Sequence, residues 1–233
     1  MERIVVDYGN ILPNGTLFDS PPGVEERMLR ADRVPILAGT DCQTFQVKPI
    51  DQLQDGYLKN LDRNFYKKFV SAEGIPIMGP SEVSDYALRE CARIVTRVTR
   101  NLRPGFLQAL IDKRERIALW ARNANACSNP KVAKPCSFEK FSAGLALGNI
   151  LILQETSFNC DQRGNAWIGR VLVHEFNHGV NGVFGSVQSG LQFDLDQAYK
   201  NAKAAQLWPK DECAMENSAE YFAIGGQTWL QAN

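Results

Sequence analysis

Val171-Leu172-Val173-His174-Glu175-Phe176-Asn177-His178 lies inside a run of roughly 166–183, in which Trp167, Val171, Leu172 and Phe176 recur at helical spacing and would face a core. A helix there puts His174 and His178 one turn apart on a single face. Both imidazoles can then reach one cation, while Glu175 projects beside them. These are the only two histidines of the chain, and chance would have scattered them. Zinc takes nitrogen and oxygen donors in a tetrahedral shell, and hydrolytic sites leave one position for water. The metal lowers the pKa of that water to about 7, and a carboxylate placed as Glu175 is can take its proton and pass it to a leaving amine. The pattern predicts a Zn2+ site with His174 and His178 as ligands and Glu175 as catalytic base. It points to a peptide or protein substrate.

A third protein ligand must come from elsewhere. The extension His-Glu-x-x-His-x-x-Gly-x-x-His would need histidine at position 184, which is Phe184, so a three-histidine site is excluded. A carboxylate remains, and the acidic candidates on the later helices are Asp194, Asp196, Asp211, Glu212, Glu216 and Glu220.

Glu220-Tyr221-Phe222-Ala223-Ile224, followed by Gly225-Gly226-Gln227-Thr228-Trp229-Leu230, stands with 41 residues intervening between His178 and Glu220. With the His-Glu-x-x-His segment, it resembles the glutamate-type zincins. Within them it is similar to the group of the catalytic domain of anthrax lethal factor and the clostridial proline-specific endopeptidases. There the second helix reads approximately Glu, Phe or Tyr, Phe or Trp, Ala, Glu, and its first Glu binds the metal. The resemblance covers roughly residues 117–230 and is specific in the two helices. It implies an α+β zincin-like metallopeptidase domain with a small mixed sheet, and Glu220 as third zinc ligand. The second family Glu is Ile224 here. A register four residues earlier, Glu216-Asn217-Ser218-Ala219-Glu220, would make Glu216 the ligand and Glu220 its support; Glu220 is the preferred register. The tyrosine that the family uses in the transition state has no counterpart within 209–219, which leaves Tyr199 and Tyr221 as substitutes. By the same resemblance, strand 149–154 stands where such folds keep an edge strand for an extended peptide.

Outward from the metal helix, the sequence predicts helices from Ser81 (a candidate cap) through Val98, from Pro104-Gly105 through Ile111, and over about 192–206 and about 215–231. Trp208-Pro209 separates the last two. Strands are expected at Arg116–Ala121 and Asn149–Gln154. Residues 1–80 are punctuated by Asn10, Pro13, Asn14-Gly15 and Pro21-Pro22-Gly23 around short apolar runs at 4–6 and 34–38, and are expected to be irregular and strand-poor. No repeat, low-complexity tract or long linker divides the chain, so 1–233 is expected to form one domain.

Composition narrows the function class. With 233 residues, 44% hydrophobic and 22% charged, a substantial core is expected. Lys plus Arg equals Asp plus Glu at 26 each, so no charge excess is available to hold a nucleic acid. The apolar runs fall short of the roughly 18 residues of a membrane span. The six cysteines, Cys42, Cys91, Cys127, Cys136, Cys160 and Cys213, form no Cys-x-x-Cys pair and suit disulfides, with Cys127–Cys136 the first expected pair and no free thiol remaining. Asn14-Gly15-Thr16 fits a glycosylation acceptor, and both features suit a secreted, extracellular protein. The opening Met1-Glu2-Arg3-Ile4-Val5-Val6 lacks a basic-then-apolar leader, as a mature chain would. The competing readings are a zincin-fold binding or toxin-like module that keeps zinc but turns over poorly, motivated by Ile224 and the unplaced tyrosine, and a metal-free structural protein.

Overall fold

The computed structural model describes residues 45–58, 61–132, 144–158 and 169–232. They form a mixed α+β arrangement around one six-stranded sheet. The strands are β1 (Lys48–Pro49), β2 (Lys68–Ala72), β3 (Ile75–Gly79), β4 (Arg116–Trp120), β5 (Gly144–Leu147) and β6 (Ile150–Gln154), in the order β1-β2-β3-β4-β6-β5. The central β3-β4-β6 ladders are parallel, with Ile117 opposite Ile77 and Leu151 opposite Ile117. The outer pairs are antiparallel.

Side chains alternate across each strand, and here both faces are covered. Val70, Ala72, Ile75, Ile77, Ile117, Leu119, Leu151 and Leu153 pack into the core on the helical face. Phe69, Met78, Ala118, Trp120, Ile150 and Ile152 pack into the other, against Ile50, Leu53, Tyr57 and Tyr66. Two-sided burial is why Arg116–Trp120 and Ile150–Gln154 read as nearly unbroken apolar runs.

Seven α-helices are described: α1 (Asp55–Leu58), α2 (Asp85–Arg100), α3 (Phe106–Asp112), α4 (Arg170–Asn181), α5 (Phe184–Val187), α6 (Leu191–Ala204) and α7 (Ser218–Ala232). The helix expected to open at Ser81 starts later, because Ser84 is its cap: the Ser84 hydroxyl accepts from the Ala87 N–H at 3.1 Å. The Ser84 N–H in turn donates to the buried Glu155 carboxylate at 2.8 Å, and the other Glu155 oxygen receives the Arg122 N–H at 2.7 Å. That one carboxylate pins the end of β6 to the start of α2 and to the chain leaving β4. Among the described residues no helix is long and apolar enough to cross a membrane.

Two expectations are corrected. The part of 1–80 that is described is not strand-poor, since β2 and β3 form a hairpin whose register runs from Lys68 opposite Gly79 to Ala72 opposite Ile75. Its two-residue turn puts both Glu73 (φ 49°) and Gly74 (φ 86°) in the left-handed region, the geometry that matches strand twist. The runs at 4–6 and 34–38 and the Asn14-Gly15-Thr16 acceptor lie outside the described residues. Nor are all six cysteines paired. Cys91 is a free thiol fully buried on α2, and Cys213 is a free, exposed thiol. Cys91 behaves as a small core hydrophobe, its thiol pushed well up by burial and by the nearby Glu90 charge. Cys127 is disulfide-bonded; Cys42, Cys136 and Cys160, and with them the expected Cys127–Cys136 pair, lie outside the described residues.

Candidate metal centre

Helix α4 is amphipathic in the simplest way. Leu172, Phe176 and Val180 are buried at 3% exposure or less and fasten it to the sheet; burying each such side chain stabilises by about 1.5–3 kcal/mol. The opposite stripe carries His174 and His178, which face α7. These two helices pack directly on one another. Their approach depends on Gly226 of α7: a Cβ there would collide with the amide of Asn177, whose Nδ2 reaches the Ala223 carbonyl at 3.5 Å. Phe184, where a third histidine would have stood, is buried edge-on between Phe106 (5.8 Å) and Phe222 of α7 (5.1 Å).

Glu220 completes the cluster. It lies in the first turn of α7, its N–H donating to the Asn217 side chain at 3.0 Å, so Asn217 caps the helix that presents the carboxylate. One Glu220 oxygen is 3.2 Å from His174 Nε2, the other 3.3 Å from His178 Nε2, and the two Nε2 atoms are 3.2 Å apart. A tetrahedral shell with metal–ligand distances of about 2.0 Å has edges of about 3.3 Å. The two Nε2 atoms thus sit at the spacing of two corners of such a shell, and each faces a different Glu220 oxygen at nearly the same distance. Two imidazoles and one carboxylate suit zinc, whereas magnesium and calcium prefer all-oxygen shells. Among the described residues, His174, His178 and Glu220 are the one group of three or more metal-ligating side chains so arranged.

The other acidic candidates are elsewhere. Asp194, Asp211, Glu212 and Glu216 are exposed, and Glu216 belongs to the turn before α7 instead of sharing a helix with Glu220. Asp196 is occupied by Ser218 and Gln192. Tyr199 donates its hydroxyl to the Met215 carbonyl at 2.8 Å, and Tyr221 is buried, its phenol pushed up by desolvation.

Glu175 is 8% exposed, and burial pushes its carboxyl above the ordinary range against the opposing pull of His174 and His178. Hydrogen bonds from His174 and His178 hold Glu220 down at about 2, so it is ionised at neutral pH. Burial disfavours a charge on His178, but the bond and charge of Glu220, with Glu175, outweigh that and raise its pKa. Glu175 also lies against β5. A Cβ at Gly144 would come within 3.1 Å of its Cγ and still closer to Val171 and Leu153, so only glycine lets α4 rest on this strand. β5 is the sheet edge and β6 is internal, which corrects the expectation that 149–154 forms the edge.

Sequence reasoning missed Gly144, Asn177 and Gly226, which set close approaches that a helical or strand pattern does not encode. Asn217 carried a signal, an Asn three residues before a Glu at the start of a helix. It also missed Glu115, which is fully buried beneath Gly179 of α4, has no hydrogen-bond partner on either oxygen, and stands 3.8 Å from Lys113 Nζ. Burial pushes its pKa up to about 7, with Lys113 and Arg116 pulling the other way. A carboxyl with a raised folded-state pKa stays protonated in the native protein where the unfolded chain has already ionised, so its contribution fades as pH climbs from about 4.5 to 7. Glu115→Gln should therefore gain stability relative to wild type by roughly 3 kcal/mol between pH 4.5 and pH 8. Urea unfolding of both proteins at the two pH values checks this, and a difference that does not change with pH would refute it.

Comparison with known protein families, curated proteins and solved structures finds no match to this chain.

Proposed function

We propose that this protein is a zinc-dependent endopeptidase of the glutamate-type zincin kind, acting on peptides or proteins in an extracellular setting. The observation that carries the reading is the convergence of His174, His178 and Glu220, their ligand atoms within 4.8 Å of one another, with a buried carboxylate, Glu175, beside the two histidines on α4. His174 and His178 would hold the metal through Nε2 and Glu220 through a carboxylate oxygen. Bound zinc would supply Lewis acidity and lower the pKa of a bound water to about 7. Glu175 accepts the proton of the attacking water and delivers it to the leaving amine nitrogen, a task suited to a carboxyl whose pKa is raised towards neutrality. The outer edge of β5 has no strand partner among the described residues and lies beside Glu175, which supports docking of an extended peptide there by strand addition. The disulfide at Cys127 supports the oxidising compartment.

The purified protein should carry close to one zinc per chain, cleave members of a broad peptide library, lose both properties on chelation and regain both on zinc addition. Metal analysis alongside product mass spectrometry reads this; a chain that takes no zinc would sink the proposal. Firm zinc binding without cleavage would instead favour the zincin-fold binding module, a reading that the engagement of the Tyr199 hydroxyl by Met215 supports.

A further inference from the structure

Glu220 depends on a helix end for its position, and helix ends fray unless their orphan backbone groups and their packing are held. Here a directional chain of hydrogen bonds ties three helices together at that end. Asn181, the last residue of α4, donates from Nδ2 to Gln192 Oε1 at 2.9 Å. Gln192 Nε2 donates to Asp196 Oδ1 at 2.9 Å, one turn along α6. Ser218, the first residue of α7, donates its hydroxyl to the same Asp196 oxygen at 2.6 Å, within the short range of a charge-assisted O–H donor to a carboxylate. The Gln192 amide is used at both ends, and Asp196 is the acceptor in which the chain terminates. Ser218 is two residues from Glu220, whose own N–H is held by Asn217.

We propose that Asp196 is a positioning residue for the metal site: through Ser218 it fixes the first turn of α7, and with it the Glu220 carboxylate, against the helix that carries His174 and His178. This inference rests on the metal-site reading of the three ligands. Asp196 touches neither metal nor substrate in this role. Its carboxylate also lies where the N-terminal end of α7 favours a negative charge, so the contact is electrostatically consistent as well as geometric. A ligand must be held to within about 0.5 Å for a site to keep its affinity, and a first turn released from α6 would not hold Glu220 to that tolerance.

The test is the zinc affinity of the full chain, measured by competition with a chelating dye. Asp196→Ala should weaken zinc binding about 10- to 100-fold, the usual effect of losing a group that orients a ligand. Asp196→Asn keeps an oxygen acceptor for Ser218 and should return affinity to within a few-fold of wild type, a rescue that general destabilisation would not give. Ser218→Ala removes only a hydroxyl and should reproduce the loss if Asp196→Ala folds poorly. In a Glu220→Ala background, Asp196→Ala should add nothing, because its effect runs through Glu220. Wild-type affinity in both Asp196→Ala and Ser218→Ala, or the same loss with Glu220 already removed, would overturn the proposal. Should wild type take no zinc, the metal reading fails on its own. Amide exchange at Glu220 then decides the positioning claim: faster exchange in Asp196→Ala but not in Asp196→Asn supports it, and equal rates refute it.

Discussion

Glu175→Gln should retain close to one zinc per chain and lose peptide hydrolysis by about 100- to 10,000-fold, the contribution usual for a positioned general base. The amide is nearly isosteric, so the packing of this side chain against Gly144 survives, and the ligands on α4 and α7 keep their places. What the substitution removes is a proton acceptor. The same site predicts the shape of the pH dependence. Burial raises the Glu175 pKa in the metal-free chain, and the charge of a bound zinc would pull it back down. The acid limb of the kcat/KM profile should report the ionisation of Glu175 and be absent from the residual activity of the variant. A Glu175→Gln protein that cleaves at the wild-type rate would remove Glu175 from the mechanism. One that has lost its zinc would mean that this side chain holds the metal site together in place of serving the chemistry.

Much of the arrangement behind this expectation was legible in the sequence, for identifiable physical reasons. The helix at Arg170–Asn181 was visible because one stripe of it must be apolar and its histidines are four residues apart. The strands Arg116–Trp120 and Ile150–Gln154 were visible because central strands buried on both faces need unbroken apolar runs. The β2–β3 hairpin was not, because Glu73-Gly74 lacks the Asn-Gly signature of its turn and Pro76 sits inside β3, where proline usually argues against a strand. The edge strand was misplaced for a different reason. Gly144-Leu145-Ala146-Leu147 is too short and too poor in β-branched residues to compete with Ile150–Gln154, and only the pairing order shows which of the two is outermost. Of the site, the residue types could be read but their approach could not. Whether Glu216 or Glu220 meets the histidines depends on where α7 begins, and that is set by the Asn217 cap and the Ser218–Asp196 bond.

Placement of the third ligand yields the second large effect. Glu220→Ala should weaken zinc binding by more than the roughly 100-fold that marks the upper end for loss of a merely supporting group, while Glu216→Ala should leave affinity at the wild-type level. Glu216 is exposed in the turn preceding α7, whereas both Glu220 oxygens lie within 3.3 Å of an imidazole nitrogen. Protonation strengthens the distinction. Glu220, held at about 2, is already ionised at neutral pH and can bind a cation without first releasing a proton. His178, raised by that same carboxylate, must shed its proton before Nε2 can donate to a metal. Zinc affinity should therefore fall as the pH drops through the histidine range, and in Glu220→Ala the fall should begin at lower pH, because the group that favours imidazolium is gone. In a zinc-loaded crystal structure a Glu220 oxygen should lie about 2.0–2.2 Å from the metal. If Glu216→Ala instead abolished binding and Glu220→Ala spared it, α7 would have to start a full turn earlier in solution, with Glu216 on the helix and Glu220 behind it as support.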